Sequence, residues 1–236
     1  GKSPVTIKWR TAKARELFTY LFYHRNRTVS KDTLLELLWP DMESEKSVRI
    51  LYQTIYLVRR ALTRNGLEGI KVKSVNLCEG YTLELDGVQV DVDEWENELD
   101  RLPPLDETSY KEYERVLELY PGDFLGELDY LWAEPEKARL RRRWLDCVER
   151  LEQFYIREGR EADAIRIHHH ILQRDPGNEN SYFVLMKLYA DHGDAEAVKK
   201  LYETMFAYLK NVLDVGPEEH IAKWYDDWRN KTNYAV

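Results

Sequence analysis

The sequence predicts a mostly α-helical chain of two domains: an α+β domain at residues 1–88 and an all-α helical repeat domain at residues 89–236. Apolar residues recur at three- and four-residue spacing through most of the chain. A segment rich in β-branched residues lies in the first half. Charge also divides the chain, because residues 1–90 contain 15 Lys and Arg against 10 Asp and Glu, whereas residues 91–236 contain 20 against 33. A basic first half and an acidic second half indicate two domains with separate tasks.

The N-terminal domain begins with a short predicted strand, "VTIKW", and a first helix over residues 12–25. Thr11 stands in a capping position before this helix. Apolar residues at helical spacing form one face of it: Ala14, Leu17, Phe18, Leu21 and Phe22. The segment "NRTVS" is a predicted turn. Ser30 is then a suitable N-cap for a second helix, "KDTLLELLW", which Pro40 and Asp41 end.

The third helix, over Glu45–Leu62, has two different faces. One is an apolar stripe for core packing: Val48, Leu51, Ile55, Val58 and Leu62. The other presents long hydrogen-bond donors, with Leu57 as its apolar member: Arg49, Gln53, Tyr56, Arg59 and Arg60. The nearest acids precede the helix, where its dipole favours them, so no carboxylate neutralises these arginines locally. A plain solvated face is the alternative, although such faces usually mix charge signs at i,i+4 spacing.

The segment "IKVKSVNLCEGYTLEL", residues 70–85, is a predicted β-hairpin around a Glu79-Gly80 turn. A strand, three helices and a hairpin in this order are typical of a winged helix. In helix-turn-helix proteins the later helix lies in the major groove, and Arg and Gln offer paired donors to guanine and adenine. We therefore expect Glu45–Leu62 to be the recognition helix and the hairpin to be the wing. The candidate contacts to double-stranded DNA are Ser30, Lys46, Ser47, Arg49, Gln53, Tyr56, Arg59, Arg60, Lys71 and Lys73.

Four segments of this domain are "KARELFTYL", "TVSKDTLLELLWP", "VRRAL" and "GYTLEL". Together they make residues 5–86 resemble the winged-helix effector domain of bacterial response regulators, in the branch shared with the Streptomyces antibiotic regulatory protein (SARP) family. Many relatives have an arginine where Leu57 stands, so one familiar base or phosphate contact is missing here. The "KWRTAKARELF" variant resembles response regulators of two-component systems with an N-terminal receiver. We therefore expect this chain to be the C-terminal part of a longer regulator.

The C-terminal domain shows a helical repeat. Pro103 and Pro104 separate its first helix from "ETSYKEYERVLELY", and "PGDFLGEL" precedes a long helix over 132–158. Three residue pairs are 34 positions apart, which is the tetratricopeptide period: Leu151 and Leu185, Tyr155 and Tyr189, Gly159 and Gly193. Ala164 and Ala197 fall one residue out of this register, which predicts a small slip. Such repeats bury their apolar faces by stacking on their neighbours.

Segments such as "VLELYPGDFLGELDYLWAEPEKARLRRRWLDCVERL" and "LDVGPEEHIAKWYDDW" make most of residues 88–230 resemble the bacterial transcriptional activator domain. That domain is all-helical, is tetratricopeptide-like and follows the winged helix in SARP-type regulators. The resemblance implies a homodimer on direct repeats or paired half-sites, and contact with RNA polymerase that activates transcription. The second hypothesis is a protein-binding scaffold whose winged helix is not used for DNA. Aromatic residues would then line a concave surface: Tyr182, Phe183, Tyr189, Tyr202 and Tyr208.

Three clusters of polar residues could suggest metal or DNA binding, but helix structure explains them better. His168, His169 and His170 point about 100° apart on a helix and cannot converge on one metal ion. The acids of "DVDEW" stand at a helix start, where the dipole alone favours them. The cluster "ARLRRRW", residues 138–144, could reach DNA, but ion pairing along a charged helix is the commoner explanation, with these neighbours: Glu134, Glu136 and Glu149.

Composition and missing motifs exclude several classes of protein. The 236 residues are 43% hydrophobic and 33% charged, which is enough to bury real cores. No apolar run could span a bilayer, and "GKSPVTIKW" lacks the layout of a secretory signal, so we expect a cytoplasmic protein with no membrane partner. Cys78 and Cys147 follow no zinc or disulfide spacing. Gly-rich phosphate loops, HExxH and GxSxG are absent, so we expect no enzyme activity, metal or cofactor.

Overall fold

Helices predominate in residues 6–76, 79–120 and 122–233, which this computed structural model describes, and a small antiparallel sheet lies near the N-terminus. The chain divides into two units, residues 1–91 and 92–236. The first unit combines helices with the sheet, and the described part of the second contains helices without strands. The predicted fold class, an α+β unit followed by an all-α unit, is confirmed.

The N-terminal unit follows the predicted order of three helices and a hairpin. Its elements are α1 (Ala12–Tyr23), β1 (Thr28–Ser30), α2 (Lys31–Leu38), α3 (Ser44–Arg64), β2 (Ile70–Val75) and β3 (Gly80–Leu85). Both predicted caps are confirmed. Thr11 Oγ1 accepts a hydrogen bond from the Ala14 N–H at 3.1 Å, and Ser30 Oγ accepts one from the Thr33 N–H at 3.1 Å. Each cap satisfies one N–H that has no partner within its own helix.

Strand β3 lies at the centre of the sheet and pairs antiparallel with β1 and β2. The predicted hairpin is confirmed, with Ile70 opposite Leu85 and Val75 opposite Gly80. The predicted turn "NRTVS" is wrong over Thr28–Ser30. Those residues form β1, because their backbone groups find partners on the free edge of β3, which lies 50 to 54 residues further along the chain.

The predicted first strand, "VTIKW", is also wrong for its described part. Residues 6–9 form no strand, and Val5 lies outside the described residues. Trp9 instead packs its ring against Phe18 of α1, with ring centroids 4.8 Å apart. The apolar residues of this segment therefore serve α1 rather than the sheet.

Gly80 is required where β1 approaches β3. A Cβ atom at this position would lie 2.5 Å from the carbonyl oxygen of Val29 and 2.9 Å from Cγ2 of Thr28. We therefore expect Gly80→Ala to lower the free energy of unfolding by about 1–3 kcal/mol, the usual cost of overpacking. Urea unfolding followed by circular dichroism measures this change. Gly122→Ala is the matched control, because no atom beyond its immediate chain neighbours lies within 4 Å of its Cβ position. Equal stability of the two variants would contradict the prediction.

The core of the N-terminal unit is formed by α1, α2, α3 and the sheet. Its fully buried leucines include Leu17, Leu34 and Leu51. Four of the five residues predicted for the apolar stripe of α3 are buried, and Val48 is half-buried. This packing fixes which side of α3 turns away from the unit.

The described part of the C-terminal unit consists of helices. They are α4 (Asp91–Asp100), α5 (Tyr110–Glu118), α6 (Glu134–Arg157), α7 (Glu161–Arg174), α8 (Glu179–Asp191), α9 (Ala195–Tyr208) and α10 (Glu219–Asn233). A short 3₁₀ turn precedes α6 and a π-helical turn follows α9. Among the described residues, no helix has the length and apolar content to cross a membrane.

The 34-residue period is confirmed at the level of backbone hydrogen bonds. Helices α7 and α9 begin and end 34 residues apart. Before them, Gly159 and Gly193 adopt φ values of 66° and 75°. The residue after each glycine donates to an equivalent carbonyl: Arg160 N to Tyr155 O at 2.7 Å, and Asp194 N to Tyr189 O at 2.9 Å. Both bonds are the six-to-one bond of a Schellman motif, which needs a left-handed residue.

The predicted slip in the second repeat is wrong. Ala164 and Val198 are both fully buried, and they stand 34 residues apart. Ala197 is only half-buried. Packing against the neighbouring helix therefore selects Val198, rather than a second alanine, as the counterpart of Ala164.

Candidate nucleic-acid interface

Helix α3 presents one long exposed face opposite its apolar stripe. The exposed side chains on it are Lys46, Arg49, Tyr52, Gln53, Tyr56, Arg59 and Arg60. Leu57 is half-buried and packs against the core. The face therefore combines basic, amide and aromatic groups, and no Asp or Glu occurs between Lys46 and Arg64.

Ser47 does not belong to this face, although it is a candidate contact by sequence. Its side chain is buried at 2% exposure, and its hydroxyl donates to the carbonyl oxygen of Ser44 at 2.9 Å. Thr54 is buried in the same way and donates to Ile50 O at 2.8 Å. Because each hydroxyl donates a hydrogen bond to a backbone carbonyl of its own helix, the short polar side chain can be buried at a low cost in free energy. Ser47 is therefore withdrawn from the candidate contacts.

Arg49 and Arg60 are the arginines of the face that remain available, and Lys46 is likewise exposed and without an ion pair among the described residues. Within the described residues, neither guanidinium forms an ion pair, and both side chains are exposed. They stand eleven residues apart, which is about three turns or 16 Å along the helix axis. Cationic forks at this separation can engage a base edge and a backbone phosphate at the same time.

Arg59 has a different role, because it ties α3 to the wing. Its Nε–H donates to the carbonyl oxygen of Val72 at 2.9 Å, and its Nη2 donates to Ser74 Oγ at 3.1 Å. Both acceptors lie on β2. The guanidinium thus uses two of its donors to hold the hairpin against α3, and the sequence pattern does not reveal this contact.

We expect Arg59→Lys to loosen the wing while keeping the charge. An ammonium cannot reproduce the fork-shaped pair of bonds, so the free energy of local opening at β2 should fall by about 1 kcal/mol. Amide hydrogen exchange over residues 70–75 measures this change as about fivefold faster exchange. Arg60→Lys serves as the control, because Arg60 forms no hydrogen bond or ion pair with either strand among the described residues, unlike Arg59. Identical exchange in the two variants would contradict a wing-holding role.

The two lysines of the wing differ in whether they form an ion pair. Lys73 pairs with Glu84 across β2 and β3 at 2.6 Å, whereas Lys71 has no ion pair among the described residues. At the tip, Lys31 donates to Glu79 at 2.6 Å, and this hydrogen bond raises the pKa of Lys31 and lowers the pKa of Glu79. Exposed pairs of this kind are weak and can exchange for a phosphate.

The Ser30 side chain caps the start of α2. Its Oγ accepts from the Thr33 N–H and lies 2.7 Å from Thr33 Oγ1, so the hydroxyl is already occupied at the start of α2. The residue that the sequence analysis missed is Tyr52, which is 53% exposed on the same face as Arg49 and Tyr56. Its spacing of four from Tyr56 is the signal that would have found it.

The basic cluster at residues 138–144 forms ion pairs, as the commoner interpretation predicts. Of the three predicted partners, Glu136 is the one that pairs with it among the described residues, whereas Glu134 pairs with Lys137. Arg139 pairs with Glu136 and with Glu96 of α4, both at 2.7 Å. Arg143 pairs with Glu96 and Asp100. The hydrogen bond from Arg139 is the main cause that lowers the pKa of Glu96, and burial opposes it. Glu96 and Asp100 lie on α4, so the cluster joins two helices.

The histidine run is part of the helix packing. His168 is fully buried, with Nδ1 3.2 Å from Ser181 Oγ and Nε2 3.2 Å from a Glu152 carboxylate oxygen. His170 lies edge-on to Trp144, and burial lowers its pKa. No group of three His, Cys, Asp or Glu in the described parts of the chain could hold a metal ion. Helical spacing leads us to expect both His168 and His169 near the packing seam between repeats; this is confirmed for His168 and wrong for His169, whose side chain is exposed.

The aromatic residues that a scaffold would display are largely packed inside the C-terminal unit. Tyr182 is 4% exposed, and the Tyr202 ring stacks on Tyr225 with centroids 3.7 Å apart. Phe183 and Tyr189 also pack against this cluster. Tyr208 is likewise half-buried. Most of these rings therefore contribute to packing, and none of the five is fully exposed.

Comparison with known proteins identifies both units. A family model described as bacterial transcriptional activator domain matches residues 104–227, and one described as transcriptional regulatory protein, C terminal, matches residues 8–83. The fold is similar to that of Mycobacterium tuberculosis EmbR, solved in complex with a low affinity phosphopeptide, with 18% identity and a TM-score of 0.59. The match covers 97% of this chain and 61% of EmbR, so the chain spans less than two thirds of that protein. No curated protein is significantly similar in sequence.

Proposed function

The chain belongs to the bacterial transcriptional activator domain family, and from this premise we propose that it binds double-stranded DNA sequence-specifically through α3 in the major groove. Its domain order, a transcriptional regulatory C-terminal domain followed by the activator domain, is that of SARP-type transcriptional regulators. Both are families of transcription regulators and not of enzymes. A regulator of this kind works on the chromosome, so we place it in the cytoplasm.

The exposed face of α3 carries the proposal. The N-terminal part of a recognition helix meets base edges, which assigns base contacts to Arg49 and Gln53. The C-terminal part approaches the backbone, which assigns a phosphate contact to Arg60. Lys71 on the wing is a second phosphate contact. Lys46 and Lys73 add positive charge along the same path, and the net charge of +5 over residues 1–90 favours association with DNA.

For the C-terminal unit we propose protein contacts: self-association on paired half-sites, and contact with RNA polymerase that activates transcription. The acidic charge of this half, −13 over residues 91–236, repels DNA and leaves its surface to protein partners. Sedimentation velocity on duplexes with one and two half-sites tests the first part. Two chains on the double site and one on the single site are the expected result. A single chain on both would contradict a homodimer.

The experiment that tests DNA binding is selection of duplexes from a random pool by the full chain, followed by fluorescence anisotropy at several salt concentrations. A shared motif should emerge. The logarithm of the association constant should fall by about 0.9 per neutralised phosphate against the logarithm of salt. Failure to enrich any motif, or affinity that does not respond to salt, would contradict the proposal and favour the scaffold hypothesis.

A further inference from the structure

Two tyrosines of α3 are exposed beyond what packing explains. Tyr52 and Tyr56 have relative exposures of 53% and 58%. In the described part of the N-terminal unit they are the large apolar side chains that stay exposed, and the others of this kind lie at residue 119 and beyond. A single exposed aromatic residue is ordinary on a protein surface, but two adjacent ones form a small patch.

The pair lies within the proposed DNA-reading face. Because the two residues are four apart, their rings lie one above the other on the same side of the helix. Arg49 and Gln53 flank them in sequence and are exposed on the same face. Among the described residues neither hydroxyl has a hydrogen bond, and neither ring stacks on another ring or a cation. In the free protein, no hydrogen bond or ring contact among the described residues therefore stabilises the two exposed rings.

The chemistry of the major groove supplies an apolar partner. Thymine is the base that carries a methyl group there, and apolar side chains distinguish it by contact with that methyl. Aromatic rings offer a large contact area with only two rotatable side-chain torsions, so ordering them on DNA costs little entropy. A phenol ring also cannot give the fork-shaped pair of donors with which Arg reads guanine.

We propose that Tyr52 and Tyr56 form an aromatic pair that recognises thymine C5-methyl groups, so that the preferred half-site places A·T pairs beside these two rings. This inference rests on the proposed function, because it requires α3 to lie in the major groove. It adds specificity residues to a site whose Arg and Gln contacts favour guanine and adenine.

The test replaces each thymine of the selected duplex in turn by deoxyuridine, which removes the methyl group alone. At one or two positions the affinity of the unchanged chain should fall about fourfold, the value of one buried methyl group. Tyr52→Ala and Tyr56→Ala should each abolish the effect at one of these positions. Tyr52→Phe and Tyr56→Phe should preserve it, because the ring and not the hydroxyl makes the contact. Circular dichroism checks that these exposed-site variants fold.

The outcomes separate the two proposals. A chain that binds its selected duplex but responds to no uracil substitution would overturn the aromatic pair and leave DNA binding intact. Uracil sensitivity that persists in both alanine variants would also overturn it, because other residues would then contact the methyl groups. A chain that binds no duplex would overturn the proposed function and this inference with it.

Discussion

Charge reversal of Arg49 and Arg60 together should lower the affinity of the full chain for its selected duplex by about 100-fold or more. Each arginine contact to a base or phosphate is worth about 1–3 kcal/mol, and a glutamate in its place adds repulsion from the phosphates. Both side chains are exposed and unpaired among the described residues, so the fold should change in stability by less than about 0.5 kcal/mol. Anisotropy titrations at fixed salt measure the affinity, and thermal unfolding measures the stability.

The matched control is the double variant Arg10→Glu/Arg15→Glu. It changes the net charge by the same amount, and both arginines are exposed but lie outside α3. We expect it to weaken binding less than about fivefold, which is the effect of net charge on association alone. Equal losses in the two double variants would mean that the affinity reflects overall charge, and the assignment of α3 as the reading helix would be wrong. Arg59 is left unchanged because it holds the wing.

Replacement of Trp95 by alanine should lower the free energy of unfolding of the C-terminal unit by about 3–5 kcal/mol, as is usual for a buried tryptophan. Trp95 is 1% exposed and is among the largest fully buried side chains. Its ring stacks on Tyr120 with centroids 4.5 Å apart. Its indole N–H has no hydrogen-bond partner among the described residues, so the loss is one of packing. Urea unfolding monitored by circular dichroism measures the change.

Trp95→Phe tests whether the lost stability comes from lost packing of the aromatic ring. Phenylalanine keeps a ring against Tyr120 and most of the buried volume, so it should cost clearly less than alanine does. It also removes a buried N–H that has no hydrogen-bond partner among the described residues, which offsets part of the loss. Equal destabilisation by the two variants, or a loss below about 1 kcal/mol for alanine, would show that Trp95 does not anchor this core.

Local patterns predicted the helices and the repeat well. The caps at Thr11 and Ser30 form because a hydroxyl reaches an N–H three residues ahead, whatever the rest of the fold does. The 34-residue period was readable because both turns need a left-handed glycine, at Gly159 and Gly193. The domain boundary after residue 88 stays a proposal, based on the change in charge and composition.

Predictions from the sequence were wrong where a residue's surroundings come from distant parts of the chain. Strand β1 exists because β3 offers it an edge, and the segment "NRTVS" carries no such information by itself. Ser47 looks exposed by residue type, but the helix turns it into the core. Among the candidate contacts, the exposure of Lys46, Arg49, Gln53, Tyr56 and Arg60 follows from helical periodicity and could be predicted.

The sequence by itself determined which segments form helices, which face of α3 is apolar, and which two families the chain resembles, because periodicity, capping and motifs are local properties. Tertiary structure decided which cationic side chains form hydrogen bonds or ion pairs with other elements and which remain unpaired. Arg59 is committed to β2, Arg139 and Arg143 are committed to acids of α4, and Arg49 and Arg60 are left without ion pairs in the described residues. A charged side chain is most available to a ligand where folding brings no partner to it, and several of these partners, such as Val72 for Arg59 and Glu96 for Arg139, lie on other elements of the chain.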